Sequence, residues 1–173
     1  MTASNSPADL IDRLRADWSR ERPDLDTSGM AVVGRILHLA EGLRKEANAC
    51  LKPFDIGYTD LDVLATLRRS GKPYLLRPAE LLRTVLVQSG SLTACLLRLE
   101  RRGLVTRLAT PEDRRGLSVQ LTAEGIDLID RAIEARFEQA RDWTAGQSTE
   151  TLASLEEDLR RLVLGAAEPS EVG

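Results

Sequence analysis

The 173 residues are 42% hydrophobic and 29% charged but only 3% aromatic. That balance suits a helical chain, long enough to bury a core, and it excludes a collagenous or disulfide-stapled protein. The net charge of −3 hides an asymmetry: residues 68–118 carry eleven Arg or Lys against four acids, so a +7 block sits inside a remainder of −10. A basic block in an acidic chain is the form a focused nucleic-acid footprint takes.

Taken in chain order, MTASNSPADL has no basic region followed by an apolar core, so no signal peptide is expected. Ser6-Pro7-Ala8-Asp9 reads as a helix start, with Ser6 able to cap, Pro7 in the first turn and Asp9 at the positive end of the dipole. Leu10, Leu14 and Trp18 follow on one face, and Pro23 closes this helix. A second helix is predicted from about Thr27-Ser28 to Lys52, stopped by Pro53. Its apolar arc, Val32, Val33, Ile36, Leu37, Leu39, Ala40 and Leu43, predicts deep burial. Thr59-Asp60-Leu61-Asp62 opens a third helix that runs to Arg69 and stops at Gly71, with Thr59 as cap and Asp62 as the capping-box acid. Pro78 and Glu80 open a short fourth helix, and Ser89-Gly90-Ser91 opens a fifth that ends at Gly103.

The period then changes from helical to alternating. Leu104–Ala109 and Leu117–Leu121 read as two strands joined by Thr110-Pro111-Glu112-Asp113-Arg114-Arg115-Gly116. Thr122 caps a long helix carrying Ile126, Ile129, Ile133 and Phe137 on one face. Ser148 or Thr149 caps a last helix with Leu152, Leu155, Leu159 and Leu162 at spacings of three and four.

Two short helices and a tight turn, followed at once by a hairpin, make a winged helix–turn–helix. The predicted fold is thus mainly α with a small β-hairpin and a helical dimerisation region. Residues 1–57 hold the N-terminal helices and a dimerisation surface; 58–122 the winged helix–turn–helix; and 123–173 the C-terminal dimerisation helices. In such a fold the second helix of the motif enters the major groove and the hairpin carries cations outward. Ser89, Ser91, Thr93, Ala94 and Arg98 are the helix candidates near DNA. The short polar residues suit phosphates, and Arg98 suits either a guanine edge or a phosphate. Arg114 and Arg115 at the hairpin tip suit phosphates or a narrow minor groove, with Asp113 able to brace one of them.

The run SGSLTACLLRLERRGLVTRLATPEDRRGLSVQLTAEG resembles the winged-helix segment of MarR-family transcriptional regulators, whose wing signature falls here on Asp113, Arg115, Leu121, Thr122 and Gly125. The order of helices is similar across roughly residues 30–165. The resemblance implies a cytoplasmic homodimer on a pseudo-palindromic operator, relieved by a small molecule. Trp18 in an extra first helix, followed by RERPDLD and GMAVVGRI, resembles the PecS-like, urate-responsive branch. That likeness implies a ligand site, walled in part by residues 1–57, in which Trp18, Asp62 and Arg107 take three of the roles. A fourth role, an arginine that holds an anionic purine-like ligand, falls on Cys95, which puts a less cationic, more apolar pocket and a neutral or aromatic effector in its place.

Read as bare residues, Trp18 is a core or interface residue, Arg107 an exposed strand residue, and Cys50 and Cys95 small buried side chains. His38, the single histidine, reads as packed or partly exposed at an interface. No Ser-His-Asp order, paired-carboxylate motif or phosphate loop stands out, and no Cys/His cluster has metal-ligand spacing, so neither an enzyme nor a cofactor or metal is expected. The longest apolar run is far short of a membrane span. The alternatives are a regulator that senses oxidants through Cys95 or Cys50, and a winged helix that binds protein.

Overall fold

A computed structural model describes residues 7–85, 89–109 and 117–167. The chain divides into two compact units, Met1–Tyr58 and Thr59–Gly173.

The first unit is built from α1 (Leu10–Glu21) and α2 (Ser28–Leu51), the latter ending in a single 3-10 turn at Lys52–Phe54. The predicted cap moves three residues: Asp9, not Ser6, caps α1. Its Oδ1 accepts from the Asp12 N–H at 2.9 Å, while the Asp12 carboxylate accepts from the Asp9 N–H at 3.2 Å. This reciprocal pair satisfies donors that a single serine hydroxyl would leave open; Ser6 itself lies outside the described residues.

Arg35 of α2 ties the same end of α1 down. It donates to Asp9 at 2.8 Å, to Asp12 at 2.6 Å, and to the Ala31 carbonyl at 2.8 Å. The helices meet at Gly34, where a β-carbon would come within 3.1 Å of Ile11 Cδ1. Ile11 is the buried residue of α1, so the Leu10–Leu14–Trp18 stripe faces solvent instead. The deep burial expected of α2 is also overturned. Val32, Val33, Ile36, Leu37, Leu39 and Leu43 are exposed, and the buried positions are Gly34, Ala47 and Leu51. The apolar arc is real, but within one chain α1 covers only the strip around Gly34.

In the second unit, α3 (Tyr58–Arg69) is followed by β1 (Leu75–Leu76), α4 (Pro78–Thr84) and α5 (Ser89–Arg101). Then come β2 (Val105–Ala109), β3 (Leu117–Leu121), α6 (Ala123–Thr144) and α7 (Thr149–Ala167). Helix α3 begins one residue before the expected Thr59 cap, so Thr59 lies inside the helix and Asp60 is the acid of its first turn. Asp62 is therefore two places further from the helix end than a capping-box acid would be. The C-terminal stops hold, with Gly71 and Gly103 at positive φ of 80° and 69°.

The sheet has three antiparallel strands in the order β1-β3-β2, one more than the predicted hairpin. Val105 pairs with Leu121 and Arg107 with Val119, while Leu75 pairs with Gln120 on the other edge of β3. A two-residue strand has no period to read, which is why β1 is silent in sequence. Ser118 is buried along with Val119 and Leu121, although alternation alone puts it outside.

The core of this unit gathers Leu64 and Leu67 of α3, Leu81 of α4, Leu99 of α5, Val119 of β3 and Ile129 of α6, all without exposed surface. Arg68 closes the rim, donating to both oxygens of Asp130 at 2.8 and 3.1 Å while lying over the Tyr74 ring.

Candidate nucleic-acid interface and effector pocket

The local sequence of α5 decides which side chains can meet a ligand. Leu92, Cys95, Leu96 and Leu99 recur at three and four residues and are buried. The opposite arc leaves Ser91, Thr93, Ala94 and Arg98 exposed, together with Arg101. Four of the five helix candidates are therefore outward. Ser89 opens the helix, though its side chain is outside the described residues. Helix α4 precedes α5 and starts at Pro78, with Glu80 reaching back to the Arg77 N–H at 2.8 Å and to its guanidinium at 3.0 Å. After α5 the chain turns at Gly103 into β2, so the wing is rooted directly on the end of that helix. Arg114 and Arg115 lie outside the described residues.

The root of the wing is held by Thr122. Its hydroxyl donates to the Gly103 carbonyl at 2.7 Å and accepts from the Gly125 N–H at 3.0 Å. One side chain thus caps α6 and clamps β3 to the end of α5.

On the flank of α5 a polar cluster forms that the sequence does not display. Asp60, only 4% exposed, accepts from the Cys95 thiol at 3.1 Å and from Arg98. Arg98 Nε reaches Oδ2 at 3.3 Å and its Nη2 reaches Oδ1. Burial, then the hydrogen bond to Asp60, push the Cys95 thiol up to about 12, and its bond to Asp60 holds the Arg98 guanidinium above its ordinary range. Cys95 is consequently a protonated donor, the wrong form for a nucleophile. Asp60 was missed because an acid in a first turn reads as a cap. The available signal was Cys95 and Arg98 three residues apart on one flank, and their partner comes from 35 residues upstream.

The expected ligand residues fall in both units. Asp62, half-buried on α3, contributes to raising the Cys95 thiol. Arg107 on β2 has its Nε 3.1 Å from the Glu100 carboxylate, close enough for charge attraction but out of line for a hydrogen bond. Trp18 belongs to the first unit and is 57% exposed. There it walls an open cavity of about 350 Å³ with Leu14, Leu25 and Met30, and Arg15 and Asp26 stand among the lining residues. Arg15 is held by the Thr27 carbonyl at 3.1 Å, and the Ser28 N–H and hydroxyl hold Asp26 below the usual carboxylate range. Among the described residues no group of three or more His, Cys, Asp or Glu could hold a metal ion. None of their helices is long and apolar enough to cross a membrane.

A three-helix unit with an outward polar arc on its last helix, followed by a hairpin, defines a winged helix–turn–helix of the kind that binds duplex DNA. Comparison with known proteins agrees. Residues 54–116 match the MarR family. The chain is 34% identical to the HTH-type transcriptional regulator PecS of Dickeya dadantii over 87% of its own length and 88% of that protein. It is 29% identical to the multiple antibiotic resistance protein MarR of Salmonella typhimurium, covering 76% and 90% of the two chains. A crystal structure of mutant Escherichia coli MarR complexed with operator DNA superposes with a TM-score of 0.68 at 26% identity, covering 90% of this chain and 99% of that one. The chain belongs to the MarR family of transcriptional regulators, and its winged helix is that family's DNA-binding fold.

Proposed function

We propose that the protein is a cytoplasmic, homodimeric repressor that binds a pseudo-palindromic operator and is released by a small aromatic molecule. The observation that carries the reading is the outward arc of α5, with Ser91, Thr93, Ala94 and Arg98 exposed beside the rooted wing. Two such helices, related by a two-fold axis, enter successive major grooves about 10 bp apart. Ser89 opens the same helix, and Arg114 and Arg115 extend the contact to the backbone.

The homodimer reading is supported by the apolar faces that α2 and α7 leave exposed in one chain, more surface than a monomer usually leaves bare. The effector reading is supported by the apolar cavity beside Trp18. Trp18, Asp62 and Arg107 are the residues assigned to the effector; Cys95, with no exposed surface, is closed to it. A redox switch through Cys95 is the weaker reading, because that thiol has no exposed surface, which leaves the half-buried Cys50 as the thiol for that alternative. The protein acts by binding and carries out no reaction.

The test is duplex binding followed by fluorescence anisotropy across a salt series. A duplex enriched by the protein from a randomised library should bind with a steep negative salt slope. Arg115→Ala should weaken binding and reduce that slope by about one. Absence of any enriched duplex rejects the reading.

A further inference from the structure

Asp60 asks for a reason. A carboxylate with 4% exposure is costly to bury, and an apolar residue would join α3 to α5 with less penalty. Its partner, Arg98, is by contrast half in solvent, with 49% of its side chain exposed on the flank of the outward arc. The buried group therefore serves to direct the exposed one.

A guanidinium can be gripped along two edges. Asp60 takes the side edge, Nε and one N–H of Nη2. The end edge, one N–H of Nη1 and the second of Nη2, has no partner among the described residues and is shaped to fork onto guanine O6 and N7. Cys95 adds a third donor on the same Oδ1 and so resists rotation of the carboxylate. Charge favours a base over a phosphate. A guanidinium neutralised by its own carboxylate gains little from phosphate attraction and keeps its directional donors.

We propose that Asp60 is a positioning residue for sequence reading, holding the side edge of Arg98 so that its end edge meets a guanine in each half-site. This rests on the DNA-binding reading above.

The experiment uses the full-length protein and a randomised duplex library. The parent should enrich duplexes with a fixed guanine in each half-site. Asp60→Asn should enrich duplexes that have lost that base and kept the other positions. It should bind the parent's duplex about tenfold more weakly, since one bidentate base contact is at stake, with a salt slope changed by less than one. In an Arg98→Ala background, Asp60→Asn should have no further effect. Arg98→Leu, at a half-exposed site that tolerates change, keeps the bulk but none of the donors and should lose the same guanine, which covers the case of an unfolded Asp60→Asn.

Retention of the guanine by either variant overturns the proposal. So does tighter binding by Asp60→Asn, which would mean that Asp60 withholds Arg98. An equal loss with and without Arg98 overturns it too, by making Asp60 merely structural. Failure of the parent to enrich any duplex rejects the DNA-binding reading before any variant is made.

Discussion

Gly125 sits so close beneath Leu104 that a β-carbon on it would lie 2.0 Å from the Leu104 carbonyl oxygen. The first turn of α6 thus presses directly on the chain entering β2. Gly125→Ala forces backbone, not a flexible side chain, to withdraw. The expected loss is about 3 kcal/mol, the upper part of the range for overpacking. Urea denaturation measures it, and a change within experimental error would show that the contact yields freely.

Thr122 supplies the adjoining restraint. Thr122→Ala removes both the α6 cap and the bond to Gly103, and should cost about 1–2 kcal/mol by the same measurement. Thr122→Ser keeps the hydroxyl and should remain near the parent. Equal losses in the two variants would assign the effect to the methyl group instead.

Cys95 should be inert at neutral pH. Iodoacetamide at pH 8 should label the half-buried Cys50 first and reach Cys95 only after denaturant, as mass spectrometry would read out. The folded state holds the Cys95 proton more tightly than the ordinary value of 9.0, with the thiol pushed up to about 12. Its contribution to stability is therefore intact below pH 9 and declines as pH rises from about 9 towards 12. Rapid native labelling of Cys95 would contradict the burial and restore the redox reading.

The exposed faces predict the assembly. Light scattering should give twice the 19.1 kDa chain mass. Leu159→Glu, on the Leu155–Leu159–Leu162 face of α7, should shift the mass towards the monomer, because a charge replaces an apolar contact. A parent that is monomeric at micromolar concentration would reject the dimer.

The effector site is tested by release. With Trp143→Phe removing the other indole, titration with purines and phenolic acids should quench Trp18. Operator release by the same compound should need about tenfold more of it in Trp18→Phe, Asp62→Asn or Arg107→Ala. Equal release from all of them would place the site elsewhere.

The sequence by itself determined the order of the helices and of the two wing strands, most of their ends and the family. Pro53, Gly71, Pro78 and Gly103 punctuate the chain through backbone sterics, which act locally. The switch from helical spacing to alternation announces the wing for the same reason. The Leu-Thr before Gly125 was readable as a motif, although its meaning, a hydroxyl clamp under a carbonyl, was not.

Tertiary structure alone decided what each apolar face met. The α2 arc has a helical period whether it lies in a core or on a surface, because a hydrophobic period says that a face will be covered and not by what. The same holds for Asp60. Its role depends on a guanidinium and a thiol that lie 38 and 35 residues away in sequence and on a neighbouring helix. Local propensity cannot tell a capping carboxylate from a buried one; only the close packing of α3 against α5 excludes water and makes the difference.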